Sequence, residues 1–356
     1  MTTDIDVMNF QHAHAWLEEL TNNKGGAITP HLILGNGFSI AYDHERFSYT
    51  ALRQEAEAQG LIGKVALSLF KALGTQDFEK VIKTMTDAAL GLGILDAKKY
   101  AVEIDVLTGE IALLKDALAK VLAALHPERP GDIEDDAYLR VRQFLDGFKA
   151  IYTANYDLLL YWALMQDFPM EDLPPRLSDD GFRDSGDGAD YVVWDYLNPH
   201  RQTVFYLHGA LHLYRGEAEL QKLTWIRTGD PLIDQIRAQL AANRFPLYVA
   251  EGTSHEKLTR IQTSDYLSRA LRSLAAVGGG AMAYGMSFNP NDEHIMRSIV
   301  QSKIQRLAVS LYGDPLGPEN QATMRAVDRL QSRRYGLNPR IELDVAFFDA
   351  DTIQLW

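Results

Sequence analysis

The sequence predicts an α/β fold: a Rossmann-like, doubly wound parallel sheet with a helical insertion after its first strand. Three observations predict it. Short apolar runs recur along the 356 residues and alternate with stretches at helical spacing. The runs end in patches rich in glycine, asparagine or histidine. One block, at about residues 48–148, is helical throughout. Alternating β and α elements bury a parallel sheet between helices, and the patches then gather at its carboxyl edge, where open α/β folds bind ligands.

Taken in order, Phe10, Ala13, Trp16, Leu17 and Leu20 repeat at helical spacing and stop at the turn-like Asn22-Asn23-Lys24-Gly25-Gly26. His31-Leu32-Ile33-Leu34 is the first strand. In the helical block the clearest face is Ile111, Leu114, Leu118, Val121, Leu122 and Leu125, ended by His126-Pro127 because proline cannot continue a helix. Further strands are expected at 150–153, 204–207, 247–250, 281–284, 307–311 and 345–348, with helices at 158–165, 230–242, 264–277, 293–307 and 319–334. Residues 169–190 read as a loop. The whole chain, 1–356, reads as one domain.

Composition narrows the function. A formal charge of -13 without clustered Lys or Arg argues against tracking nucleic-acid phosphates. No cysteine is present, which removes disulfides, thiolate zinc sites and a cysteine nucleophile. No apolar run approaches the roughly 20 residues of a membrane span, and Asp4 and Asp6 occupy the place of a basic leader. A cytoplasmic protein without metal, bound to neither nucleic acid nor membrane, is expected.

Four patches carry the chemistry. Gly35-Asn36-Gly37-Phe38-Ser39 follows a strand and has the glycines that let backbone N–H groups approach a pyrophosphate, although the third glycine of the usual fingerprint is missing. Thr153-Ala154-Asn155-Tyr156-Asp157 can direct short polar groups at ribose hydroxyls or a carboxamide, and alone it equally fits a helix cap. Leu207-His208-Gly209 supplies a side chain suited to proton transfer near neutral pH. Gly285-Met286-Ser287-Phe288-Asn289 again leads from strand to loop. Lys257 and Arg260, after Glu251, fit either a pocket-closing pair or an exposed helix face. Trp194, Trp225 and Trp356 read as packing residues.

The ordered series Gly-x-Gly-x-Ser, Thr-x-Asn-x-Asp, Leu-His-Gly and Gly-x-Ser resembles the sirtuin-like superfamily of NAD-consuming proteins over about residues 31–312. It is closer to the bacterial branch, often linked to antiphage defence, whose sirtuin-like domain hydrolyses NAD. The four-cysteine zinc module of sirtuin deacylases is absent. Phe38-Ser39-Ile40-Ala41-Tyr42, Leu207-His208-Gly209-Ala210-Leu211-His212 and Glu251-Gly252-Thr253-Ser254 also look like an uncharacterised bacterial family of that branch.

The resemblance implies Gly35, Gly37 and Ser39 at the pyrophosphate and Asn36 lining the pocket. It puts Thr153 beside the cofactor site, Asn155 at the nicotinamide ribose or a water, and Asp157 at the carboxamide. His208 becomes the general base, and Gly285 and Ser287 border the adenosine. It implies an NAD glycohydrolase needing no cofactor beyond its substrate, acting as a homo-oligomer or with an activating protein partner. Two other classes stay open: a noncatalytic NAD or ADP-ribose sensor, and a structural subunit with a vestigial pocket. Asn155 and His208 together favour the enzyme, because a binder needs neither a base nor a water-positioning amide.

Overall fold

His31–Leu34 and its neighbours are apolar on consecutive residues because both of their faces are covered. In a computed structural model, which describes residues 6–21, 25–166, 178–186, 188–197, 202–217, 219–250 and 252–356, the strands are β1 (Val7–Met8), β2 (His31–Leu34), β3 (Ile151–Thr153), β4 (Phe182–Asp184), β5 (Tyr191–Trp194), β6 (Val204–Tyr206), β7 (Leu213–Arg215), β8 (Leu220–Leu223), β9 (Gly278–Tyr284), β10 (Lys303–Leu311) and β11 (Asp344–Asp349). Seven form an all-parallel sheet in the order β1-β11-β10-β9-β2-β3-β6. Strand alternation sends Leu32, Leu34, Ile151, Tyr206 and Tyr284 into one core, and Ile33, Tyr152, Phe205, Ala283 and Val309 into the other.

From β2 the chain steps outward through β3 to β6, returns to β9 on the other side of β2, and steps outward again through β10 to β11. The winding reverses between β2 and β9. Ligands in such sheets bind in the crevice beyond the carboxyl ends at that reversal, and here those ends carry the two glycine patches.

The predicted insertion lies between β2 and β3. It comprises helices His44–Phe47, Tyr49–Ala58, Lys64–Ala72, Phe78–Asp96, Ala101–Leu125 and Asp135–Asp146. Because the two-residue β1 precedes β2, it follows the second strand of the chain and not the first. Asp77 caps Phe78–Asp96, accepting from the backbone N–H groups of Glu79 and Lys80 at 2.9 and 3.2 Å. That cap sets Glu79 in the first turn, facing the sheet's carboxyl edge.

Three expectations change. Residues 247–250 add no strand to the parallel sheet. They run antiparallel to Gly209 through a single bridge at Tyr248, with Val249 N–H donating to the His208 carbonyl at 2.9 Å. The helix expected over 293–307 stops at Gln301, and β10 begins at Lys303 after the buried Ser302 turn. Part of the 169–190 loop is structured: β4 and β5 join β8 and β7 in a four-stranded antiparallel sheet, β4-β5-β8-β7. Strands of three or four residues leave too little alternation to read. Residues 167–177 and 187 of that stretch lie outside the described residues, as do 1–5, with Asp4, and 22–24. Among the described residues no helix is long and apolar enough to cross a membrane.

Two buried histidines make the fold acid-sensitive. Leu158 N–H donates to His126 Nε2 at 3.1 Å, while His126 Nδ1 meets the Pro127 carbonyl. A second ring proton would point at the Leu158 N–H. Burial holds His126 at about 4, and burial followed by the charge of Lys149 holds His31 at about 4. Both folded values lie below the ordinary 6.5, so the unfolded chain takes up protons first and stability is lost as pH falls from 6.5 towards 4. Each histidine is expected to remove about 1.4 kcal/mol per pH unit in that window. Urea unfolding at pH 7, 6 and 5 measures it, and a flat profile would contradict these assignments.

Candidate functional site

A cavity of about 1000 Å³ opens at the carboxyl ends of β2, β3, β6 and β9. All four sequence patches reach it: Gly35, Asn36 and Gly37 after β2, Asn155 and Asp157 after β3, His208 after β6, and Gly285 and Ser287 after β9. The insertion closes one side with Tyr49, Leu52 and Glu79. Thr153 and Ser39 stand behind this lining.

Ser39 is fully buried and ties two patches together. Asn155 Nδ2 donates to Ser39 Oγ at 2.9 Å, and Ser39 Oγ donates to Asp157 Oδ2 at 2.5 Å. Thr153 Oγ1 accepts from Asn155 N–H at 3.0 Å, which fixes the bend that aims Asn155. Asp157 Oδ1 also accepts from the N–H of Leu159, the first residue of helix Leu159–Met165, at 2.9 Å. Burial raises the Asp157 carboxyl above its ordinary range, with the Ser39 and Leu159 hydrogen bonds opposing. Asn155 Oδ1 has no protein partner among the described residues, so its acceptor stays available to a ligand.

The glycine loop is occupied by its neighbour. Gly35 N–H donates to the Tyr284 carbonyl at 2.9 Å and Gly37 N–H to the Gly285 carbonyl at 3.1 Å. Phe38 and Ser39 N–H groups turn back to Gly35 and Asn36, each at 3.0 Å. Asn36 Nδ2 donates to the Phe47 carbonyl at 3.2 Å, joining the loop to the insertion. Gly209, at φ +80, lies so close to the Leu247 carbonyl that a side chain has no room. That approach sets the bend that presents His208.

Beside His208 lies a group that sequence reading missed. His208 Nε2 is 2.7 Å from His294 Nε2 and 3.8 Å from Asp292 Oδ1. With Nε2 so engaged, the backbone hydrogen bond that His208 makes with Ala154 falls to Nδ1. Lys257, fully buried, donates to Asp292 Oδ1 and Glu79 Oε2, each at 2.8 Å. Burial, then the Lys257 charge, drives His208 well below its ordinary value, and burial likewise lowers His294. Both imidazoles are neutral at pH 7. Burial pushes the Glu79 carboxyl up against the pull of Lys257, whereas at Asp292 the charge and hydrogen bond of Lys257 outweigh burial and hold the carboxyl down.

Lys257 is thus neither an exposed helix face nor a cavity-lining cation. Only its placement one turn into the capped helix Ser254–Gln262 could have hinted at this. Arg260 does not reach the cavity lining, and Glu251 lies outside the described residues. Trp194 packs edge-on against Tyr266, Trp225 is 51% exposed, and Trp356 lines the cavity with Nε1–H donating to the Phe38 carbonyl at 2.9 Å. Among the described residues the lining holds Glu79, Asp157, Asp292, Glu319 and Asp351 but neither Lys nor Arg.

Lys257→Met should cost about 3 kcal/mol, because removing one partner strands two buried carboxylates. Urea unfolding reads it directly. An unchanged midpoint would mean that the network contributes nothing to the fold.

Fold and site together define a parallel α/β protein with an acidic, polar-floored cavity at the switch point of its sheet. The chain belongs to the DUF4917 family, a domain of unknown function, which it matches over residues 32–356. No curated protein matches it.

Proposed function

We propose that the protein is a sirtuin-like NAD glycohydrolase, releasing nicotinamide and ADP-ribose, in the bacterial antiphage setting that the resemblance implies. The observation that carries the reading is the convergence of Asn155 and His208 on one cavity of about 1000 Å³ at the switch point, a size suited to a dinucleotide. The bond between ribose C1′ and the pyridinium nitrogen breaks, its electron pair leaving with neutral nicotinamide. Water adds to C1′ and its proton passes to His208 and then to solvent.

Positive charge on the ribose in that step is favoured by an acidic lining, which includes Asp157, linked to Asn155 through Ser39, and Asp292, 3.8 Å from His208. A neutral imidazole suffices to take a proton from water attacking so strong an electrophile. Asn155 Oδ1 orients the water or a ribose hydroxyl. The leaving group needs no Lewis acid, so cleavage is expected to survive chelation.

A noncatalytic NAD or ADP-ribose sensor is the second reading. It is favoured by the engagement of His208 Nε2 with His294, which leaves that nitrogen less free to act as a base. Incubation of the purified chain with NAD, with and without chelator and over a range of protein concentrations, tests both. Nicotinamide and ADP-ribose appearing in equal amounts supports the hydrolase. Tight binding with intact NAD under every condition supports the sensor.

A further inference from the structure

We propose that His208, His294 and Asp292 form a binding site for one divalent ion of the zinc class, and that its occupancy withdraws the His208 lone pair from water activation. The second half rests on the hydrolase reading. The first does not.

The three residues come from two segments, the turn after β6 and the start of helix Glu293–Gln301, and their donor atoms all lie within 4.8 Å of one another. Two imidazole nitrogens facing each other at 2.7 Å need something between them: a shared proton or a cation. On a tetrahedral zinc with bonds of about 2.0–2.1 Å they would stand about 3.3 Å apart. A shift of about 0.6 Å, within the reach of side-chain rotation, converts one arrangement into the other.

Each donor is already aimed by a second partner, as metal ligands are. His294 N–H donates to Ser254 Oγ at 2.8 Å, and that hydroxyl lies 3.1 Å from His294 Nδ1. His208 is held through Ala154. Lys257 donates to Asp292 Oδ1, the oxygen that also stands 3.8 Å from His208 Nε2, and so fixes the carboxylate beside the imidazoles. Around Lys257 two carboxyl groups face a single ammonium. Two nitrogens and one oxygen without sulfur suit zinc, cobalt or nickel more than magnesium or calcium. His208 and Asp292 line the cavity, so the fourth coordination position opens to it.

The lone pair of His208 Nε2 cannot bind zinc and accept a proton together. A zinc-loaded chain would hold NAD without cleaving it, and chelation would release the base. Such a latch fits an activity whose unchecked action would harm its host.

The test uses the full chain, stripped with chelator and titrated with Zn²⁺ alone by calorimetry, with Co²⁺ absorption reporting tetrahedral geometry. One ion per chain is expected. His294→Gln and Asp292→Asn should each weaken binding at least a hundredfold, and Ser254→Ala about tenfold, with circular dichroism and thermal midpoints establishing that the variants fold. Ser254→Ala keeps the test decisive if both ligand variants fail to fold. No saturable zinc uptake by the folded parent, or undiminished uptake by a folded ligand variant, overturns the site. Zinc bound in stoichiometric amount with NAD cleavage unaffected overturns the latch. A parent that never cleaves NAD, yet loses zinc on His294→Gln, leaves the metal site standing and removes the hydrolase.

Discussion

His208→Ala and Asn155→Ala should each slow single-turnover release of nicotinamide at least about a hundredfold, the lower range for a positioned acid–base or orienting group. NAD affinity should persist in the His208 variant, because in the proposed reaction its imidazole would act on the attacking water more than on the bound ground state. Truncating it also leaves His294 Nε2 without its partner at 2.7 Å, so binding and fold must be measured beside the rate. Asn155→Ala carries two losses: the acceptor facing the cavity, and the Nδ2 donor to Ser39 that aligns Asp157. Some loss of affinity is therefore expected there as well. Unchanged cleavage in both folded variants would refute the roles assigned to them.

The carboxyl-edge residues were legible because their position follows from local pattern. An apolar run followed by a short polar patch is read from consecutive residues, and strand ends in one parallel sheet must share an edge. That logic located Asn36, Asn155, Asp157, His208 and Ser287 at the cavity. It could not separate lining from support. Ser39 has the composition of a phosphate contact, yet it is fully buried as the link between Asn155 and Asp157. Nor could it find the group around Lys257. Glu79, Lys257, Asp292 and His294 come from three helix starts and a turn with no shared periodicity, and only the docking of the insertion against the switch point brings them together. Lys257 was the hardest to foresee, since a lysine on an amphipathic helix is ordinarily solvated.

The glycine patches show the same limit more sharply, for their composition suggests room for a pyrophosphate. A side-chain carbon on Gly37 would lie 2.5 Å from Gly285 Cα, and one on Gly285 would lie 2.6 Å from Gly37 Cα. Gly285 also has φ +67, a conformation costing roughly 1–2 kcal/mol for other residues. These glycines close the floor of the crevice by backbone contact between the β2 and β9 loops. Gly37→Val is therefore expected to abolish nucleotide binding by forcing the loops apart, with a stability loss above about 4 kcal/mol. Gly37→Ala places a carbon at the same point and should also lower the thermal midpoint, in the presence and absence of ADP-ribose alike. A folded Gly37→Ala of unchanged stability that no longer binds ADP-ribose would reverse this reading: the glycine would then serve the ligand's approach, as the sequence alone suggests, and the contact with Gly285 would be incidental.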